Sequence, residues 1–176
     1  MAHDVFVSYS GRDKTTADAV CATLEANGIR CWIAPRDVLP GMDWGAAIVK
    51  AVHESQIMVM VFSSQANSSK HIKREVERAV DKGLVIIPFR IEDVMPSDSL
   101  EYFLGSVHWL DALTTPMEQH LQALADKVRL LLQIPRPDPP PPAAAARFCT
   151  KCGTPNTNAL KFCTHCGNAM TLNVKP

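Results

Sequence analysis

Two periods alternate along the first 134 residues of this chain. Short apolar runs with strand character are separated by stretches whose apolar residues recur every three or four positions. Residues 5–9 (VFVSY) read as a buried strand. From 15 to 27 the spacing turns helical, with Ala19, Val20 and Leu24 on one stripe, and Asn27-Gly28 stops it. A second short strand spans 29–33. The loop 34–43 is rich in turn residues, and Asp43 at its end can cap a helix over 44–54. Residues 57–62 (IMVMVF) are continuously apolar, as expected of a strand buried on both faces. A polar loop, 63–69, leads into a helix over 70–82 with Ile72, Val76, Ala79 and Val80 inward, ended by Lys82-Gly83. Residues 84–89 form another buried strand. A looser region runs to Leu104, a short strand lies near 107–110, and Pro116 opens a last helix to about 133. Leu121, Leu124, Val128, Leu131 and Leu132 are its expected core residues. Strands alternating with helices predict an α/β domain: five parallel strands, helices on both faces, and right-handed crossovers. The flavodoxin-like strand order is the expected one.

This pattern stops at Ile134. Residues 135–142 (PRPDPPPP) must be extended, and eight residues of polyproline geometry reach roughly 25 Å. Four alanines follow. The expected organisation is therefore a domain over 1–134, a Pro/Ala-rich linker over 135–147, and a small unit over 148–170.

That unit contains nearly the same six letters twice, FCTKCG at 148–153 and FCTHCG at 162–167. Each CxxC turn brings two thiolates toward one metal, and the glycine after it lets the backbone curl so that its amides point at sulfur. Two such knuckles make a closed four-sulfur site, the structural zinc arrangement, with Cys149, Cys152, Cys163 and Cys166 as ligands. So small a segment buries too little apolar surface to fold alone, and metal binding has to supply most of its stability. Redox CxxC pairs are the alternative, and His165 inside the second knuckle is a weaker candidate ligand. Cys21 and Cys31 read as buried core thiols.

Formal net charge is zero, which argues against a strongly basic surface for nucleic acid. Beside Arg147, the tail has only Lys151, Lys161 and Lys175, thin for phosphate contacts. A protein-binding or oligomerising role suits it better. The N-terminus lacks a signal-peptide pattern and the apolar runs are too short to span a bilayer. The expectation is a cytoplasmic protein with no membrane contact and with reduced or metal-bound cysteines.

Ligands of an open α/β sheet bind beyond the C-terminal ends of its strands, here the loops 10–14, 34–43 and 63–69. Common motifs are absent there: no GxGxxG after a strand, no GxxxxGK[ST], no GxSxG, and no Asp ending the third strand. What the chain does carry is DVFVSYS at 4–10 with Asp13, CWIAPRD at 31–37 followed by Pro40-Gly41, VFSS at 61–64 with KREVE at 73–77, LVIIPF at 84–89, and HWL at 108–110. In this order they resemble Toll/interleukin-1 receptor (TIR) domains in their bacterial form, over about residues 3–133. The resemblance implies a flavodoxin-like sheet and names 34–43 the BB loop.

Many bacterial TIR domains are NAD+ nucleosidases, and the catalytic glutamate of that family falls on Glu75. On a helix, Glu75 lies at the edge of the Ile72/Val76/Ala79 stripe, where it can face a cleft. Glu77 points further away. A bland role for Glu75 is an ion pair with Arg78 on a solvated face. By the resemblance, Ser10 and Gly11 lie where substrate meets backbone. Trp32, Arg36 and Trp44 flank the BB loop with faces that can stack on a base. His71 stands one turn before Glu75, where several family members carry Trp. Trp32 reads more readily as core, and Arg36 has the alternative of pairing with Asp37 or serving assembly. The implied function is NAD+ cleavage to ADP-ribose or a cyclic isomer, activated by self-association through the TIR domain, as in antiphage defence. The competing implication is a signalling adaptor without catalysis, whose zinc ribbon binds a protein partner.

Overall fold

The computed structural model describes residues 3–135, 147–156 and 162–169. The chain divides into two units, Met1–Pro135 and Arg136–Pro176. Most of the expected linker lies outside the described residues.

In the first unit, β1 (Val5–Ser8), α1 (Lys14–Ala26), β2 (Cys31–Ile33), α2 (Trp44–Glu54) and β3 (Ile57–Phe62) follow one another. Then come α3 (Ser64–Asn67), α4 (Lys70–Asp81), β4 (Val85–Arg90), α5 (Asp98–Leu104), β5 (Leu110–Asp111) and α6 (Met117–Leu132). The five strands are parallel and ordered β2-β1-β3-β4-β5, the flavodoxin-like order expected from the alternation.

Strand period sorts the core into two layers. Val5, Val7, Ile57, Val59, Val61 and Phe89 point to the side covered by α1 and α6. Phe6, Met58, Met60, Phe62 and Ile86 point to the side of α2, α4 and α5. Ser8 continues the second row from Phe6, so an almost fully buried hydroxyl stands in an apolar file. At the other end of β1, Asp4 ties the two neighbouring strands by accepting from the Arg30 amide at 2.9 Å and its guanidinium at 2.7 Å.

Four details depart from the sequence pattern. The loop expected over 63–69 contains the single turn α3, because Ser63 Oγ accepts from the Ala66 amide and caps it. The loose region before Leu104 contains α5, which buries Leu100 and Leu104. Val80 and Leu131, expected in the core, are 41% and 48% exposed. Each sits at the rim of its helix's apolar stripe, where the neighbouring layer no longer reaches.

The second unit pairs β6 (Arg147–Phe148) with β7 (Pro155–Asn156) in antiparallel register. A bridge between Phe162 and Ala169 repeats the arrangement around the second knuckle. No helix among the described residues is long and apolar enough to cross a membrane.

Candidate functional site

Ser69 caps α4 by accepting from the Ile72 amide at 3.4 Å, and Ile72, Val76 and Ala79 then seat the helix on the sheet. This places Glu75 over the C-terminal end of β1. Ser8 Oγ donates to Glu75 Oε2 at 2.6 Å, across 67 positions of sequence, a length typical of hydroxyl donation to a carboxylate. Burial pushes the Glu75 carboxyl up from 4.5 to about 7, against the Ser8 bond, which favours the charged form. Glu77 instead stands 3.9 Å from Lys73 on the surface.

This carboxylate is expensive to keep. Unfolded, the group titrates near its ordinary 4.5, and folded at about 7. The folded state therefore holds the proton more tightly. Its stability falls as pH rises from the lower value to the upper, and the loss is complete above 7. Glu75→Gln should consequently stabilise the unit by about 3 kcal/mol at pH 8 and by almost nothing at pH 4. Thermal unfolding at the two pH values checks this. A buried ionisable group retained at a cost to stability is a functional-site candidate.

The loop after β1 is pinned by Ser63 Oγ, which donates to Asp13 Oδ2 at 2.6 Å. Tyr9 donates its phenol to the carbonyl of Ala34, fastening the end of β1 to the start of the 34–43 loop. That loop is held from inside as well: Asp37 Oδ2 accepts from the Ile33 amide at 2.8 Å.

In the second unit the four cysteine sulfurs lie within 4.8 Å of one another. Cys149 and Cys166 are 3.6 Å apart, as are Cys152 and Cys163. A tetrahedral site with metal–sulfur bonds of about 2.3 Å needs sulfurs roughly 3.8 Å apart, so the donor set fits one ion. The knuckles match in detail. The amides of Lys151 and His165 point at the first sulfur of each at 3.4 Å. Gly153 and Gly167 take φ of 72° and 68°, a left-handed turn that favours glycine. The four cysteines could thus hold a metal ion.

A profile of the TIR domain matches residues 5–126, well over half of the chain. The chain belongs to the TIR domain family. Its fold is similar to that of the TIR domain of the Toll-related receptor TRR-2 from Hydra magnipapillata, with a TM-score of 0.62 at 21% identity, covering 72% of this chain and 98% of that one. A metazoan TIR-STING receptor from C. gigas, solved with 2′,3′-cGAMP, aligns at 25% identity and a TM-score of 0.57, over 70% of this chain and 39% of the receptor. The TIR domains of the activated Roq1 resistosome align at 19% identity with a TM-score of 0.60, over 72% of this chain and 99% of that one. In sequence, 80 residues are 32% identical to the stimulator of interferon genes protein of Magallana gigas. That match covers 45% of this chain and about a fifth (19%) of the Magallana gigas protein.

Within this TIR domain the other residues singled out by sequence fall into two groups. Ser10, Gly11, Trp44 and His71 are at least partly accessible. A Cβ built on Gly11 would meet nothing within 4 Å, so the space above the β1 loop is open. Trp44 is 51% exposed at the end of the BB loop. His71 is exposed on the first turn of α4, one turn before Glu75. Trp32 and Arg36 are committed to the fold. Trp32 stacks on Phe6 with ring centroids 5.1 Å apart and lies in the core. Arg36 is bound by Asp37, Glu25 and the Cys31 carbonyl. Sequence reasoning missed Ser8 as the partner of Glu75. Its signal was a hydroxyl in an apolar strand file, which needs a partner when buried.

Proposed function

We propose that this TIR domain cleaves the bond between nicotinamide and ribose in NAD+, with Glu75 as the catalytic carboxylate. The observation that carries the reading is the desolvated Glu75 carboxyl held by Ser8 at the C-terminal end of β1. The family resemblance, which puts the catalytic glutamate at this position, supports it.

The chemistry asks little of the protein. Nicotinamide in NAD+ is a cation, and the electrons of the breaking C–N bond leave with it, so it departs neutral without a proton donor. Positive charge is left on the ribose. A carboxylate beside the ribose in a partly dry pocket stabilises that charge more in the transition state than in the ground state. Water then gives ADP-ribose, and attack by the substrate's own adenine or ribose gives a cyclic isomer. Ser10 and Gly11 offer backbone to the substrate, and Trp44 and His71 offer ring faces. Trp32 and Arg36, committed to the core and to the loop, have no part in substrate contact in this reading.

Glu75 must be ionised to act. In the free enzyme kcat/KM should therefore rise with pH through about 7, the value of the Glu75 carboxyl. Ser8→Ala removes a bond that favours the charged form, so the rising limb moves to higher pH. Activity should drop about tenfold below the limb and little above it. Nicotinamide release across pH 5–9 tests both statements. A limb at an ordinary carboxylate value, or one indifferent to Ser8, would sink the assignment.

Self-association through the TIR domain accompanies catalysis in this reading. Leu39, Met42 and Trp44 on and beside the BB loop are 65%, 44% and 51% exposed, an apolar surface suited to a neighbouring copy. The ribbon holds one zinc ion through Cys149, Cys152, Cys163 and Cys166. The ion is structural, since four thiolates close its coordination. Exposed Phe162, beside Cys163, gives the ribbon an apolar contact for a protein partner.

A further inference from the structure

Two hydroxyl–carboxylate bonds run in opposite directions between the same two stretches of chain. Ser8, at the end of β1, donates to Glu75 of α4 at 2.6 Å. Ser63, directly after β3, donates back to Asp13, in the loop that follows β1, also at 2.6 Å. Asp13 stands at the N-cap of α1, where an aspartate ordinarily accepts from an amide of the first helical turn. It makes no such side-chain bond to the helix. Its carboxylate is turned to Ser63 instead, across 50 positions of sequence.

The far end of this bond is fixed. Ser63 is fully buried, and its hydroxyl is used twice, donating to Asp13 and accepting from the Ala66 amide at 3.1 Å to cap α3. Two further bonds fasten α3 to the chain beyond β4. The Ser64 amide donates to Glu92 Oε2 at 2.8 Å, and Asn67 Nδ2 donates to the Met95 carbonyl at 2.8 Å. The near end is a single tight helical turn, Gly11–Asp13, closed by the Asp13 amide donating to the Ser10 carbonyl at 2.7 Å. None of its three residues is buried, so apolar packing does not hold the turn in place. Its order comes from the cross-ties at its two sides, Ser8–Glu75 and Ser63–Asp13.

We infer that Asp13 is a positioning residue for NAD+ binding: through Ser63 it fixes the backbone of Ser10 and Gly11 in the shape that receives the substrate. The inference rests on the reading of this domain as an NAD+-cleaving enzyme. Asp13 itself touches no substrate in it. What it supplies is order before binding, so the turn is not immobilised at the expense of affinity. Contacts from that backbone are made alike in the ground state and the transition state, whereas Glu75, held by Ser8, acts on the breaking bond. Losing the Asp13–Ser63 bond should therefore weaken binding and leave the chemical step.

Steady-state kinetics of the full chain, crowded on beads, test this. Asp13→Ala should raise KM for NAD+ about tenfold and change kcat by less than about twofold. Asp13→Asn keeps an oxygen that accepts from Ser63 and should hold KM within about threefold of wild type. In a Ser63→Ala background, Asp13→Ala should add nothing further to KM, because the bond is already gone. Amide exchange at position 13 reports on the turn whatever the substrate, and should quicken about tenfold in Asp13→Ala. Unchanged KM in Asp13→Ala overturns the inference. So does a KM raised as much in Asp13→Asn, which would assign the effect to charge. A lower kcat at unchanged KM, the mark of a smaller folded fraction, overturns it too. A wild-type chain that leaves NAD+ intact removes the reading of the site, and this inference falls with it; wild-type cleavage with an unmoved KM in Asp13→Ala removes the inference alone.

Discussion

Replacing Glu75 with Gln should reduce NAD+ cleavage at pH 8 by at least about a thousandfold. The substitution keeps the size of the side chain and can still accept from Ser8, so the fold around α4 should survive. What it removes is the negative charge opposite the ribose. Because binding contacts on the rest of the substrate stay, the loss should fall on kcat more than on KM. The same substitution should raise the melting temperature at pH 8, since it removes a carboxylate the fold ionises at a cost. Opposite movements of activity and stability separate a catalytic carboxylate from a structural one. A Gln variant that is less active because it is less stable would contradict the account.

Stripping the metal should give the second large effect. Structural four-cysteine sites bind zinc with about 10–16 kcal/mol, and most of that is folding free energy. The ribbon has two-residue strands and a single bridge around its knuckles, far too little to stand alone. After chelation, amide exchange at Cys149, Gly153, Cys163 and Gly167 should reach unfolded rates. The amides of β1, β3 and β4 should keep their protection, because the unit Met1–Pro135 has two buried layers of its own. Loss of protection in both units would show that they fold together. Retained protection in the ribbon would show that something other than metal holds it.

Much of this was legible in one chain of letters, and the reasons are local. IMVMVF at 57–62 reads as a strand buried on both faces and is one, because a continuous apolar run has no polar face to offer solvent. Asp43 reads as a cap and accepts from the Ala46 amide at 2.7 Å. The four-cysteine cluster was legible because its geometry is written twice, in knuckles that each fold over five residues. The elements α3 and α5 were harder. A four-residue helix has no period to detect, and α5 shows only Leu100, Phe103 and Leu104 at helical spacing. The candidate site was half legible. The place of Glu75 beside its helical stripe follows from 3.6 residues per turn, whereas its partner does not: Ser8 lies 67 positions away, and only the pairing of β3 beside β1, with α4 following β3, brings them together. Trp32 was ambiguous for a similar reason, since aromatic residues at strand ends serve cores and ligands alike and Phe6 had first to be placed beneath it.

The most direct test of the central claim is nicotinamide release from NAD+ by the purified full chain, followed in dilute solution and then crowded on beads, with Glu75→Gln beside it. The account predicts release that rises on crowding and disappears in the variant, with ADP-ribose or a cyclic isomer formed in equal amount. NAD+ left intact by the crowded wild-type chain, or cleaved equally by the variant, would contradict it.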